Sequence, residues 1–427
     1  RSVLVTGVQT CALPIYRIVK EREQEENKML QGKTVLLGVT GGIAAYKMPN
    51  VARMLKKMHC NVHVLMTQNA TNFITATTFE TLTGNKCLID TFDRNFEFSV
   101  EHVALAKQAD LVLLAPATAN VIGKIANGIA DDMLTTTVMA CTCKVLVAPA
   151  MNHNMYHNSI VQENLEKLKR HGYEMIDPVC GMLANGDTGD GKLPSEETLV
   201  EYVLRELAFE KDMQGLKVLV TAGPTQEAID PVRFISNHST GKMGYAIAKN
   251  AMLRGAEVTL VTGRTALEPP MFVKTVPVTS AKDMYQAVME CAKEQDIIVK
   301  AAAVADYTPA HTADEKIKKS EGELSLALEK TTDILAELGK NKGNTVLCGF
   351  SMETEHMLEN SRAKRKKKNL DMIAANNLKQ QGAGFAGDTN VLTLITEDWE
   401  KELALMSKDE AAKCLLDELL KIKKNKK

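Results

Sequence analysis

The chain opens the same way twice. Gln31-Gly32-Lys33-Thr34-Val35-Leu36-Leu37 is echoed 183 residues later by Gln214-Gly215-Leu216-Lys217-Val218-Leu219-Val220. Each copy is a polar turn feeding a continuous apolar run, the pattern of a strand buried on both faces of a parallel sheet. After each copy, short apolar runs alternate with longer amphipathic stretches. The first half predicts strands at Thr34–Val39, Asn61–Met66, Leu111–Ala115 and Val145–Ala148, with helices at Ala44–Lys57 and Asn158–His171, the latter closed by Gly172. The second half predicts strands at Val218–Val220, Val258–Val261, Ile297–Val299, Thr345–Cys348 and Met372–Ala374. Strands alternating with helices imply right-handed crossovers. The expected fold is therefore α/β, two tandem Rossmann-like domains with mainly parallel sheets. Residues 29–195 form the first domain, 196–213 a linker and 214–427 the second.

Both ends call for separate treatment. The run VTGVQTCALPI resembles a translated sequencing-adaptor read-through, so residues 1–28 are expected to be a poorly ordered, non-native leader, with the natural start at Met29. The Lys-rich stretch Lys421–Lys427 is expected to be a solvated, fraying end.

Charge and cysteines narrow the function. A net charge of −1 over 427 residues argues against a general nucleic-acid binder, which is usually basic. Nine cysteines are scattered without a CxxC pair, as in a reduced, cytosolic protein. No apolar run approaches the roughly 20 residues of a membrane span.

Polar loops at the carboxyl ends of strands are where an open α/β sheet binds ligands. Three follow strands in the first half: Gly38–Ala44, Ala115–Asn120 and Ala148–Asn152. The first is glycine-rich at a strand-to-helix turn, where backbone N–H groups can approach an anion, but it is not GxGxxG and does not specify a dinucleotide. His153 and His157 are spaced as in HExxH, but Asn154 replaces the glutamate, so surface histidines are the expectation. His102 taken alone reads as structural.

In the second half the corresponding loop, Gly223–Gly244, is long and polar, and precedes a helix beginning around Tyr245. Gly241-Lys242 looks like the end of a P-loop, but Ser236 stands where Gly-x-x-x-x-Gly-Lys needs glycine. Arg233, Asn237 and Lys242 could hold phosphates and steady an acyl phosphate under attack. Asp306 ends another strand and could meet a ribose, a base or magnesium. Glu315–Lys319 is a basic loop that could close over a triphosphate. Lys364 and Lys368 are four apart on one helical face and could reach a single anion.

These motifs together resemble a known family. Gly41–Lys47, Ala115–Asn120 and Pro149–Asn152 look like the flavin-containing cysteine decarboxylases. DPVRFISNHSTGKMG, AAAVADY and EKIKK resemble phosphopantothenate–cysteine ligase. In this order, from about Met29 onward, they match the bifunctional phosphopantothenoylcysteine decarboxylase/phosphopantothenate–cysteine ligases of coenzyme A biosynthesis.

For the first half, the resemblance implies FMN-dependent decarboxylation of 4′-phosphopantothenoylcysteine to 4′-phosphopantetheine. FMN oxidises the thiol end, the resulting thioaldehyde accepts the electrons left by CO₂, and reduced flavin with a proton restores the saturated product. His102 falls at the catalytic histidine and Asn152 at the asparagine that holds the substrate carboxylate. Gly41, Gly42, Ile43, Ala44, Thr67, Thr118 and Asn120 fall at flavin-binding positions. One departure stands out. The family's flap reads GxLACGxxGxGR, its cysteine serving as an acid, whereas Gly181–Lys192 puts Asn185 at that cysteine. An amide is no useful proton donor near neutral pH. An active ligase joined to a decarboxylase half impaired by Asn185, or to a flavin-binding regulatory subunit, is the alternative.

For the second half, the resemblance implies that CTP activates 4′-phosphopantothenate as an acyl-cytidylate, which the amine of cysteine then attacks. Asn237 and Arg233 fall at acyl-cytidylate positions and Lys316 at the lysine needed for its conversion. Asp306, Lys316, Phe350, Lys364 and Lys368 fall at CTP positions. Mg²⁺ is expected beside the phosphates, with no metal ligands assigned. The family also implies a homo-oligomer with dimeric ligase and trimeric decarboxylase halves.

Overall fold

The computed structural model describes residues 28–91, 101–182, 186, 188–318, 325–353, 356–377 and 387–426. All but the last residue of the expected leader, and Asn185 of the flap, lie outside that set. The chain divides into two compact units, one closing at Phe209 and the other beginning at Glu210.

The first unit is built on a parallel sheet of β1 (Thr34–Val39), β2 (Asn61–Met66), β3 (Leu111–Ala117), β4 (Lys144–Pro149) and β5 (Glu174–Met175), in the order β2-β1-β3-β4-β5. All six residues of β1 are buried, as a strand with helices on both faces requires. The expected helix over Ala44–Lys57 is broken. A 3₁₀ turn, Ile43–Lys47, precedes an α-helix, Met48–Lys57. Pro49 is the reason: it has no N–H for the carbonyl four residues back, so an α-helix can begin at this point but cannot run through it. Ser159–Arg170 is helical as expected, with the Asn158 side chain accepting from the Ile160 amide at 3.0 Å as its N-cap. A hairpin follows the sheet, β6 (Val179–Met182) with β7 (Thr188–Lys192).

The second unit contains β8 (Lys217–Ala222), the hairpin β9 (Gln226–Ala228) with β10 (Phe234–Ser236), then β11 (Glu257–Thr262), β12 (Lys274–Pro277) and β13 (Ile297–Lys300). A second hairpin, β14 (Tyr307–Pro309) with β15 (Leu328–Lys330), precedes β16 (Val346–Glu353) and β17 (Met372–Asn377). The main sheet runs β12-β11-β8-β13-β16-β17, all parallel, and ends in two antiparallel strands, Leu392–Ile395 and Glu400–Glu402. Gly223–Gly244 is therefore not one open loop but contains the β9–β10 pair, and its helix starts early, at Lys242.

The C-terminal expectation is corrected. Lys421–Asn425 complete an 18-residue helix, Lys408–Asn425, that packs on Lys242–Leu253. Leu415, Leu416 and Leu419 are buried on its inner face. Lys423 pairs with Asp296 at 2.9 Å, and Lys426 with Asp371 at 2.7 Å. A lysine run reads as solvent-facing in sequence, but here an apolar stripe and carboxylates on neighbouring turns hold it down.

Candidate functional site

Each sheet reverses its strand order once. In the first unit β2 and β3 flank β1, so the loops after β1 and β3 diverge and leave a crevice, the usual ligand position in this architecture. A cavity of about 900 Å³ opens there. Gly41, Gly42, Ile43, Ala44, Thr67, Thr118, Asn120 and Asn152 all line it. The expected flavin set and the carboxylate-holding asparagine therefore share one space.

The local structure explains several of these choices. A Cβ on Gly41 would stand 2.5 Å from Cβ of Asn69, so only glycine lets the β1 loop close on the segment after β2. Thr40 Oγ1 donates to the Pro116 carbonyl at 2.6 Å and accepts from the Thr118 amide at 3.1 Å, fastening the two loops together. Asn152 Oδ1 accepts from the Asn154 amide at 2.9 Å, which turns its NH₂ group away from the helix it caps. Thr67 Oγ1 is buried without a hydrogen-bond partner among the described residues. An orphaned buried hydroxyl on the wall of a cavity this large fits a polar, ring-bearing cofactor that supplies the missing bond.

His102 is not in this cavity. It lies half-buried on the helix Glu101–Gln108, which packs against Met133–Ala140. His157 is exposed, as expected of a surface histidine, and His153 is half-buried. With Asp190 of β7 they are a cluster of potential metal ligands, their atoms within 4.8 Å of one another. Internal bonds already occupy it: the Asp190 amide donates to His153 Nδ1 at 3.2 Å, and His157 Nε2 lies 3.2 Å from the Asp190 carboxylate.

In the second unit the reversal lies between β8 and β13. The loops that follow them form a cavity of about 510 Å³, lined by Asn237, Lys242, Asp306, Phe350, Lys364 and Lys368. Gly241 enters the Lys242–Leu253 helix at φ 81°, a left-handed conformation that suits glycine. Asn237 Nδ2 donates to the Ala303 carbonyl at 3.0 Å, tying the two loops at the cavity mouth. Lys368 pairs with Asp333 at 2.7 Å and Lys242 with Asp388 at 2.8 Å. Lys364 and Lys368 thus reach one cavity, as their spacing requires.

Arg233 and Lys316 do not line it. Arg233 clamps buried Asp230 through Nε at 2.9 Å and Nη2 at 2.6 Å, and Nη2 also donates to the Ile317 carbonyl at 2.7 Å. Burial opposes charge on Asp230. The Arg233 guanidinium and the backbone amides of Val232, Arg233 and Ile317 outweigh it, holding the carboxyl well below the usual range. Arg233 thereby anchors the basic loop that carries exposed Lys316.

Two residues of this cavity escaped the sequence reading. Lys300 ends β13 and lines the cavity beside Lys364, Lys368, Asp306 and Asp333. Asn376 near the end of β17 has a buried Oδ1 without a partner among the described residues. Each is a polar residue closing an apolar strand run, the same signal that exposed Asp306.

Fold and sites define a two-centre α/β enzyme, with a cofactor cradle in one unit and a cation-lined substrate cavity in the other. Comparisons with known proteins agree. The flavoprotein family profile matches residues 23–208, and that of the DNA/pantothenate metabolism flavoprotein C-terminal domain matches 213–422. The coenzyme A biosynthesis bifunctional protein CoaBC of Bacillus subtilis (strain 168) is 45% identical over 400 residues, 93% of this chain and 98% of its own. That of Escherichia coli (strain K12) is 42% identical over 395 residues, 92% and 97%. A crystal structure of a CoaBC C-terminal domain shares 41% identity with 51% of this chain, over 100% of its own length, at a TM-score of 0.45. The FMN-dependent cysteine decarboxylase SpaF shares 33% identity with 41% of this chain, over 99% of its own length, at a TM-score of 0.36. The chain belongs to the family of bifunctional coenzyme A biosynthesis enzymes, which carry both phosphopantothenoylcysteine decarboxylase and phosphopantothenate–cysteine ligase activities. Relatives matched across both halves favour two activities over a ligase with an impaired or regulatory partner.

Proposed function

We propose that the second unit joins 4′-phosphopantothenate to cysteine at the expense of CTP, and that the first decarboxylates the product with FMN. The observation that carries this reading is the pair of cavities at the two strand-order reversals, which collect most of the expected site residues.

In the first cavity, bound FMN would supply the two-electron oxidation and later reduction of the substrate's thiol-bearing carbon. The chain does the rest. Thr67 Oγ1, the backbone of Gly41–Ala44, Thr118 and Asn120, which line this cavity, would hold the cofactor. The NH₂ group of Asn152 donates to the departing carboxylate. His102 stands off this wall, which fits a site completed by a neighbouring copy in a trimer of this half. Exposed Ile43, Tyr46, Met155 and Met182 at the cavity supply an apolar rim for such contacts. Asn185 cannot deliver the final proton, so water or another group does.

In the second cavity, a carboxylate oxygen of 4′-phosphopantothenate attacks the α-phosphorus of CTP, and the bond to pyrophosphate breaks. The amine of cysteine then attacks the acyl carbon and CMP leaves. Lys364 and Lys368 neutralise the phosphates, Asp306 faces the ribose or a Mg²⁺ ion, and Phe350 packs on the nucleotide. Asn237 steadies the acyl-cytidylate, Lys316 closes over it, and Arg233 acts by holding the Lys316 loop. Exposed Val232, Phe234, Tyr307 and Leu328 on the two hairpins fit a dimer of this half. The scattered cysteines, free among the described residues as in a reducing compartment, support a cytoplasmic place for both steps.

Asn237→Asp and Lys316→Gln are each expected to abolish amide formation while leaving bound flavin unchanged. Ligation retained by both variants would overturn the assignment.

A further inference from the structure

Lys300 stands apart from the other cations of the ligase cavity. Lys242 and Lys368 have carboxylate partners, and Lys364 donates to the Phe350 carbonyl at 3.3 Å. Lys408 donates to the Gly387 carbonyl. The Lys300 side chain makes no hydrogen bond or ion pair among the described residues, although it is half-buried at the tip of β13. Lys364 and Lys368 approach it from the helix side, Asp333 from the start of the helix Ile334–Lys340, and Asp306 from its own loop. His238 also lines the cavity. Asn376, nine-tenths buried on β17 and lining the same space, has an Oδ1 without a partner among the described residues.

An ammonium withdrawn from water, unpaired and beside two like charges is unfavourable unless an anion arrives. We infer that Lys300 is the third cation of a polyphosphate cradle and gains a proton as the nucleotide triphosphate binds. The reading rests on this cavity being the ligase site. A triphosphate is favoured over the phosphate monoester of the other substrate because Lys300, Lys364 and Lys368 converge on one part of the cavity. The free group is poised for such a step. Burial and then Lys364 and Lys368 push its pKa down to about 8, against the pull of Asp333 and Asp306. A bound triphosphate replaces the missing water and reverses the repulsion, returning Lys300 to the charged form. By linkage, the protein then takes up about half a proton per site at pH 8, and less at pH 7.

Calorimetric titration of the full-length protein with CTP at pH 8.0, in buffers of differing ionisation enthalpy, reads that uptake directly. The pH lies above the range in which free imidazoles titrate. Wild type is expected to take up protons with CTP and not with 4′-phosphopantothenate. Lys300→Met should lose the uptake and weaken CTP binding about tenfold or more, the scale of a lost charge-assisted hydrogen bond. Lys300→Arg, charged throughout, should keep most of the affinity and lose the uptake. CTP binding with uptake unchanged in Lys300→Met, or uptake with 4′-phosphopantothenate alone, overturns the inference but leaves the ligase reading standing. No binding of CTP to wild type overturns both.

Discussion

Gly41→Ala tests the first cavity at its tightest point. The added Cβ would lie 2.5 Å from Cβ of Asn69 and 3.0 Å from its carbonyl carbon. Carbon atoms normally approach to about 3.5–4.0 Å, so the loop after β1 has to give by roughly 1 Å. The opposing atoms are Cβ and backbone, not the far end of a flexible side chain, so the flavin wall itself moves. Overpacking of this kind costs about 1–3 kcal/mol. For a unit of this size that is about 3–10 °C in melting temperature. Because Gly41 lines the cavity, most of the effect should fall on the holo state. Purified Gly41→Ala is expected to carry little flavin absorbance and to gain less thermal protection from added FMN than wild type. Ligation of 4′-phosphopantothenate to cysteine should be unchanged, since that cavity belongs to the other unit. Full flavin content with an unshifted melting temperature would refute the argument that this contact shapes the cofactor site.

Further predictions follow the same logic. Thr67→Val removes the orphaned hydroxyl, so the apoprotein should lose no stability while FMN affinity falls severalfold, read by flavin fluorescence. Arg233→Ala leaves buried Asp230 without its main partner and frees the Ile317 carbonyl; ligation should fall strongly, with limited proteolysis showing earlier cleavage near Lys316. Lys300 has a folded-state pKa below its unfolded value, so between pH 8 and about 10.4 the unfolded chain binds more protons and ligand-free stability rises with pH. At pH 7, Lys300→Met should therefore melt higher than wild type without nucleotide, by a few degrees, even as it binds CTP more weakly. Asn185→Cys should speed the final protonation of the decarboxylation, seen as a faster approach to 4′-phosphopantetheine in single-turnover mass spectrometry.

Much of this architecture is legible in the sequence because buried parallel strands announce themselves. Thr34–Val39 and Asn61–Met66 are strands over the expected residues, and the loops that follow strands carry most of the site. The misses have local physical causes. Periodicity across Ala44–Lys57 is helical throughout, and only the missing N–H of Pro49 divides it. Strands as short as Gln226–Ala228 and Phe234–Ser236 leave no alternation to detect, so the hairpin inside Gly223–Gly244 was invisible. Lys423 and Lys426 gain their partners from Asp296 and Asp371, residues distant in sequence. Arg233 looked like a phosphate ligand because a free guanidinium and one clamped on a buried carboxylate are the same letter. Lys300 lies one residue past the strand expected at Ile297–Val299, and its significance depends on Lys364 and Lys368 arriving from a helix 64 residues further on.

The most direct test of the central claim is a single reaction vessel. Purified protein reconstituted with FMN would receive 4′-phosphopantothenate, carboxyl-labelled cysteine, CTP and Mg²⁺, with products followed by mass spectrometry. The account predicts 4′-phosphopantothenoylcysteine as a transient, then 4′-phosphopantetheine, with CMP and labelled CO₂ released in equal amounts. Amide accumulating without CO₂, or no CMP formed at all, would contradict it.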